Sequence, residues 1–417
     1  MILDADLHIH GLHSGGVSDK MKIPVLAEQA GIKGLDLVST GDILNPDWRR
    51  HVRKTTEDLG NGIYRRNGTD FVLSTEIEDE NRVHHLVFLP SIEASVELAE
   101  KIEPHSSDIR KEGRPRVSLD GENIARIVKD FGGLFGPSHG FTPWTSVYKE
   151  HDSLESCYGS MVEEIDFLEL GLSADTSMAD EIKELNSLTF LSNSDAHSPW
   201  PDKIGREFNR IKVKGRSFEE LDRALNRKGE RGIELNVGFD PREGKYHCTA
   251  CQSCYQKYSY EQAVNREWKC GKCGKSIKKG VKDKVTELSD GGNSPEWRGD
   301  YIHLIPLAEI IKEVVGHSST KTKTVQKIYD DFQSEFPSEI EILLEEKLED
   351  LREVNSKVSE AVSKFRKQKI VMIPGGGGKY GSIRIPRDEE DRKNIIEENQ
   401  HEIKCRFKDN QKSLSDF

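Results

Sequence analysis

The sequence predicts an α/β barrel, a compact cysteine-rich insert and a mainly helical C-terminal region. Three observations predict it: short apolar runs alternate with amphipathic stretches up to about residue 237, five of the seven cysteines crowd between Cys248 and Cys273, and apolar residues recur at helical spacing after residue 301. With 417 residues, 35% hydrophobic and 32% charged, the chain is too long for one compact core and too polar for a membrane protein. The opening MILDADLHIH carries carboxylates where a secretory signal needs basic residues and an apolar run, so a cytoplasmic monomer with no membrane partner is expected.

The barrel reading rests on seven apolar runs, at 2–7, 35–39, 71–75, 83–89, 133–136, 167–170 and 188–192, with helix-like segments at 23–30, 92–102, 121–130 and 218–226 between or after them. The expected divisions are a barrel over 1–237, a ribbon region over 238–289, a helical domain over 290–404 and a tail over 405–417. The polar run DGGNSPEWRGD marks the boundary near 290–300. In the helical domain Ile340, Leu344, Leu348, Leu351, Val358, Val362 and Phe365 predict one face of a single long helix.

The cysteines read as metal ligands, because Cys251-x2-Cys254 and Cys270-x2-Cys273, fifteen residues apart, match a tetrahedral four-cysteine zinc site. Such a closed site folds the insert and leaves no position for a substrate. Cys248 and His247 compete for the first knuckle, and Cys157 and Cys405 stand as ordinary thiols. The formal charge of −12 argues against a nucleic-acid partner, yet residues 265–284 hold eight Lys and Arg against two acidic residues. With Tyr255, Tyr258, Tyr260 and Trp268 interleaved, that stretch has the make-up of a phosphate-contacting surface.

Ten of the fourteen histidines fall in the first 200 residues, and several follow a predicted strand. Barrel enzymes assemble their chemistry at such strand ends. His8 and His10 end the first run, Asp42 the second and Glu76 the third. His84 and His85 open the fourth, His139 follows the fifth, and Asp195 and His197 follow the last. Adjacent His84 and His85 point to opposite faces of a strand, and the His-x-Leu spacing favours His84. Mixed His and carboxylate ligation suits zinc, manganese or ferrous iron better than magnesium, and clustered divalent ions promote phosphoester hydrolysis.

These residues, in this order, resemble the PHP (polymerase and histidinol phosphatase) superfamily of distorted (β/α)7 barrels. The resemblance implies two or three catalytic divalent ions, zinc, manganese or magnesium. One is held by His8, His10, Glu76 and Asp195. Glu76 bridges to a second on His84 and His139, and a third uses His197 with Asp42. Asp195, Glu76 and His139 become the catalytic residues. The chain departs from the superfamily within Ser14-Gly-Gly16 and at Gly41-Asp42, where other ligands are usual.

Two further motifs stand outside the barrel. Gly375 to Gly378 with Lys379, in the loop at 374–381, reads either as a phosphate cradle built from backbone N–H groups or as a flexible connector. Gln411, Leu414 and Phe417 have the layout of a peptide that binds the PCNA sliding clamp. The order of barrel, ribbon, helical region and clamp peptide, with HGFTPW at 139–144, SDAHSPW at 194–200 and PGGGGK at 374–379, resembles the endonuclease Q family from residue 1 to about 386. That resemblance implies a DNA repair nuclease of archaeal type. Such an enzyme nicks double- or single-stranded DNA 5′ of uracil, hypoxanthine, xanthine or an abasic site, leaving 3′-hydroxyl and 5′-phosphate ends. It also implies a base pocket at Glu169, Gly171, Ser173 and Arg206, with Phe141, Trp144 or Trp200 as a wedge. The competing expectations are a phosphatase for a small phosphomonoester and a non-catalytic DNA adaptor.

Overall fold

The structure is a computed structural model and describes residues 1–400. The expected clamp-binding residues Gln411, Leu414 and Phe417, and Cys405, lie outside the described residues. The chain divides into two compact units, the first made of Met1–Gly171, Glu184–Val237 and Pro295–Asp300, the second of Leu172–Lys183, Gly238–Ser294 and the chain from Tyr301 onward.

The first unit is built on strands β1 (Ile2–Asp6), β2 (Leu37–Ser39), β3 (Glu57–Asp58), β4 (Ile63–Arg66), β5 (Thr69–Glu78), β6 (His84–Leu89), β7 (Leu134–Pro137), β8 (Phe167–Glu169), β9 (Thr189–Leu191), β10 (Phe208–Lys212) and β11 (Gly232–Gly238). All seven apolar runs are strands. Parallel pairing joins β1 to β2 and β2 to β5, whereas β5, β6 and β7 are antiparallel, β10 runs antiparallel to β1, and β8 pairs in parallel with β9 apart from the main ladder. Among the described residues, hydrogen bonding therefore makes a mixed α/β sheet rather than a closed ring of parallel strands. Between β5 and β6 only residues 79–83 intervene, too few for a helical crossover, so the chain turns straight back.

Leu7, Val72, Leu86, Phe88, Leu134, Phe167 and Leu191 interlock as the core of this unit. Helices α1 (Ile23–Lys33), α2 (Pro46–Thr55), α3 (Ile92–Ile102) and α4 (Gly121–Asp130) cover the sheet. Helix α2 is not among those expected from the sequence, and its signal is local: the Asn45 side chain accepts from the backbone N–H groups of Asp47 and Trp48, and Pro46 occupies the first turn. Strands β5 and β6 are buried along their whole length although they carry Glu76, Glu78, His84 and His85. Buried polar groups require partners, and this is the first structural mark of a site.

In the second unit the four cysteines of the two knuckles sit beside a two-stranded pairing of Ala250–Cys251 with Ile277–Lys278. The remainder is mainly helical, with helices at Leu307–Val315, Lys323–Glu335, Glu339–Leu344, Leu348–Val354 and Ser356–Arg366. The long helix expected from Ile340 to Phe365 is thus three short ones. Asn355 breaks it, capping the last helix through the amides of Lys357 and Val358, and Leu344 and Leu348 are only half-buried beside the break at 345–347. No helix among the described residues is long and apolar enough to cross a membrane.

Candidate metal centre

The histidines and carboxylates expected as ligands meet at one end of the first unit. The segment after β1 carries His8 and His10, and Ile9 bridges in parallel to Ala196, with the His10 amide donating to the Ala196 carbonyl at 3.0 Å. Asp6 fixes the same loop from the other side, accepting from the amides of Ser194 at 3.1 Å and Gly205 at 2.8 Å. Arg206 closes the clamp by donating twice to the Ser194 carbonyl, at 2.9 and 2.7 Å. So held, Asp195 adopts a left-handed backbone with φ of 47°, and Asp42 and His139 do the same at 51° and 32°. Non-glycine residues seldom take this conformation, and such strain gathers at functional sites.

Three groups of ligand-capable atoms result, each within 4.8 Å: His8, His10 and Glu76; Glu76, His84 and His139; and His10, Asp195 and His197. Glu76 belongs to two groups and His10 to two, so the set is a continuous double-bridged cluster. Glu76 Oε1 lies 3.0 Å from both His84 Nδ1 and His139 Nε2, and its Oε2 lies 3.7 Å from His10 Nε2. His10 Nε2 is 3.0 Å from Asp195 Oδ1. Glu76 is 1% exposed, whereas the Asp195 and His197 side chains are 32% and 37% exposed. The cluster therefore opens at its Asp195–His197 end.

His8 provides the test of whether these residues fit a cation. Its Nδ1 is bound by both oxygens of buried Glu169, at 3.0 and 2.9 Å, which fixes the ring and leaves Nε2 as the free ligand atom. That Nε2 is buried with no hydrogen-bond partner among the described residues, 3.8 Å from Glu76 and 3.9 Å from Asp195. A buried nitrogen left bare and facing two carboxylates fits a divalent metal ion. The electrostatics agree. Burial opposes charge on His8 and His10, but Glu169, Glu76 and Asp195 around His8, and Asp195 and Asp42 around His10, raise them to about 9 and about 10. Burial likewise opposes charge on Glu76 and Asp195, yet the surrounding histidines hold both carboxyls far down. The carboxylates thus demand positive charge at this point, which protons or metal ions can supply.

His84 and His85 part company as strand geometry requires. His84 joins Glu76, Glu78 and His139, whereas His85 turns to the opposite face and is held by Asp79 at 3.2 Å and the Tyr158 hydroxyl at 3.0 Å. Asp42, expected as a ligand of a third ion, stands behind the cluster. It accepts from Ser14 Oγ at 2.7 Å and lies 3.9 Å from His10 Nδ1, so it orients His10 rather than entering a ligand group. Two residues absent from the sequence reading join the site: Arg114 reaches Glu76 at 3.2 Å, and Glu78 holds His84 at 3.1 Å.

The four cysteines form a separate group. Cys251 and Cys273 sulfurs lie 3.5 Å apart, as do those of Cys254 and Cys270. A hydrogen bond from the Tyr258 hydroxyl leads in holding the Cys270 thiol down to about 6, which favours the ligating thiolate. Cys248 is buried outside this group, and Cys157 is buried and free in the first unit.

Comparison with known proteins supplies the family. A crystal structure of a lesion-specific endonuclease Q from Pyrococcus furiosus is 48% identical, and the match covers 95% of this chain and 99% of that one with a TM-score of 0.90. The chain belongs to the endonuclease Q family. A second endonuclease Q structure, a complex with a 27-mer duplex bearing an abasic lesion at the active site, matches at 48% identity and a TM-score of 0.88, over 93% of this chain and 97% of that one. An uncharacterised Bacillus subtilis protein, YqxK, is 34% identical over 91% of this chain and 98% of its own length. The uncharacterised Methanocaldococcus jannaschii protein MJ0043 is 48% identical over 58% of this chain, which spans only 31% of that longer protein. The MJ0043 C-terminal domain family matches residues 306–369.

Within this endonuclease Q family member, three of the four residues expected in a base pocket, Glu169, Gly171 and Arg206, lie against the frame of the metal cluster. Glu169 is fully buried and serves His8, the His139 amide at 2.7 Å and Asn193 at 2.9 Å. Gly171 lets His139 approach: a Cβ there, at φ of 67°, would stand 2.6 Å from the His139 Cβ. Arg206 is committed to Ser194, and Ser173 belongs to the other unit. Phe141 is buried against Tyr148 and cannot act as a wedge, whereas Trp144 and Trp200 are exposed on the loops after His139 and His197. The basic ribbon is also partly spent. Lys279 is paired with Glu287 and lies over Tyr260 and Trp268, while Lys269, Lys272 and Lys275 remain open to solvent.

Proposed function

We propose that this chain is a metal-dependent endodeoxyribonuclease of DNA repair that nicks the phosphodiester 5′ of uracil, hypoxanthine, xanthine or an abasic site. The observation that carries the reading is the double-bridged His/carboxylate cluster, open at Asp195 and His197, in a member of a family with a lesion-specific endonuclease. When bound, divalent ions there supply Lewis acidity and an activated water for in-line attack on phosphorus. His8, His10, Glu76, His84, His139, Asp195 and His197 are the residues that would hold them. Glu169 and Asp42 orient His8 and His10, and Asp6 with Arg206 hold the Asp195 loop in place. Water adds across the P–O3′ bond, leaving a 3′-hydroxyl and a 5′-phosphate. Extruding the lesion costs least where pairing is already weak, and exposed Trp144 and Trp200 suit filling the gap.

The four-cysteine ribbon would hold structural zinc, with Lys269, Lys272 and Lys275 facing DNA phosphates. The tail, through Gln411, Leu414 and Phe417, would bind a sliding clamp. The deciding experiment incubates the chain with Mn2+ or Mg2+ and duplexes carrying one uracil, one hypoxanthine, one abasic site or no lesion. Nicks 5′ of the lesions and not in the plain duplex are expected. Cleavage of a generic phosphomonoester with no nick in any lesion duplex would replace this reading by a small-molecule phosphatase.

A further inference from the structure

The glycine-rich loop after the strand Val371–Ile373 has a buried root and an exposed tip. Its backbone is tied down: the amides of Gly375, Gly378 and Gly381 donate to the carbonyls of Arg242, Lys245 and Glu243, and the Gly375 carbonyl accepts from Cys248. Gly376 and Lys379 exchange hydrogen bonds across the turn. These amides are spent, so the loop is neither a phosphate cradle nor a slack connector. Glycine is required because the backbones touch. A Cβ on Gly375 would stand 2.5 Å from the Gly244 carbonyl oxygen, and one on Gly377, at φ of 65°, would stand 2.4 Å from that of Cys251.

What this rigid root carries is Lys379 and Tyr380. Tyr380 is 69% exposed, the most exposed large apolar side chain among the described residues. Lys245 places its ammonium 5.5 Å from the Tyr246 ring centre and 5.7 Å from that of Tyr380, and Lys379 is exposed beside them. A flat ring on a fixed loop, with the Lys245 ammonium beside it and exposed Lys379 next to it in the chain, meets a nucleotide with little ordering cost, since the ring stacks on a base face while the cations meet phosphates. An acidic peptide would use the cations but give the exposed ring no flat partner.

We infer that the tip of this loop is a DNA-docking platform, in which Tyr380 stacks on an unpaired nucleotide and Lys245 and Lys379 contact the flanking phosphates. The inference rests on the nuclease reading and adds a contact in the second unit that is made of none of the cluster residues. Its test measures binding of labelled abasic and fully paired duplexes by fluorescence anisotropy, with full-length chain carrying Asp195→Ala so that the DNA stays intact. Thermal melting confirms that each variant is folded. Tyr380→Ala is expected to weaken binding to the abasic duplex about tenfold, and Tyr380→Phe to stay within about twofold of the parent. Lys245→Ala and Lys379→Ala should each lower the slope of log affinity against log salt by about one. Parental affinity and salt slope in the alanine variants would overturn the platform, and equal losses in Tyr380→Phe and Tyr380→Ala would overturn stacking. Failure of the nuclease reading looks different: the wild-type chain would nick no lesion duplex at all.

Discussion

The two metal-ligand clusters of this chain solve opposite problems. The cysteine group is drawn from 23 consecutive residues, Cys251 to Cys273, and its four sulfurs lie within 4.8 Å of one another, the set for one closed coordination sphere. The histidine–carboxylate group is gathered from residues 8 to 197, shares ligands between three overlapping sets and leaves Asp195 and His197 partly open. A closed set of soft ligands stabilises a small fold that lacks much of a core. An open, bridged set of hard and borderline ligands offers room for a phosphate oxygen and water. Removing one ligand should therefore unfold the first and merely disarm the second.

The largest effect is expected from Asp195→Ala. It removes the partly exposed carboxylate that answers His10, and nicking of a uracil duplex should fall by about a thousandfold or more, on the scale of lost metal-assisted charge stabilisation. Binding of the same duplex should change little, because no phosphate contact is lost, and melting should remain cooperative. Cleavage at the parental rate would show that Asp195 is not a ligand. Cys270→Ser is the matching test in the ribbon. It should release about one equivalent of zinc per chain, open residues 248–280 to limited proteolysis and weaken DNA binding, while the metal content of the other cluster stays constant. Retained zinc together with unchanged proteolysis would remove the structural role of the ribbon metal.

A smaller effect isolates the support behind the open cluster. Glu169 fixes His8 through Nδ1 and also binds the His139 amide and Asn193, so Glu169→Gln keeps the shape but removes the charge that orients the ring. Metal affinity of the histidine cluster, read by competition with a chromogenic chelator, should drop by about 10- to 100-fold, the usual range for outer partners of ligating histidines. The cysteine zinc should not move. Equal affinity in parent and variant would make Glu169 a substrate-side residue after all.

This contrast explains what the sequence could disclose. The ribbon was legible because its ligands are local and their spacing is their geometry. For the open cluster, placing His8, His10, Glu76, His139, Asp195 and His197 after strands was enough to nominate them, since the sheet brings strand ends together whatever lies between. The supporting residues had no such signal. Glu169 meets His8 across 161 positions, Asp6 meets Ser194 across 188, and Arg114 comes from an irregular loop. Asp42 looks like a ligand because it ends a strand as the others do, but its carboxylate meets Ser14 and the Nδ1 side of His10, whereas Glu76 and Asp195 face Nε2. His84 and His85 differ only by the face of one strand, which alternation states without naming. The glycine loop shows a similar limit: the same four glycines suit a phosphate cradle or close backbone packing, and only the direction of the amides separates the two.

The last predicted effect is on folding and leaves the metal centre untouched; it lies in the second unit and compares two buried histidines with opposite surroundings. Among the described residues His247 has no hydrogen-bond partner on either ring nitrogen, and burial lowers it to about 4. At His303 burial acts the same way, but Asp240 at 3.6 Å and Asp175 at 3.0 Å outweigh it and raise the group. Their linkage to stability has opposite signs. Between pH 4 and 6.5 the unfolded chain binds a proton at His247 that the folded chain refuses, so stability present above pH 6.5 is lost as the pH falls toward 4. His303 contributes below pH 6.5 and loses that contribution as the pH rises through its raised value. The His247 part amounts to about 3 kcal/mol over its window, at about 1.4 kcal/mol per pH unit. His247→Leu, which cannot be protonated, should flatten the fall of unfolding free energy between pH 6.5 and 4.5 in urea titrations. An identical slope in parent and variant would mean that His247 finds a partner or water when the chain is charged.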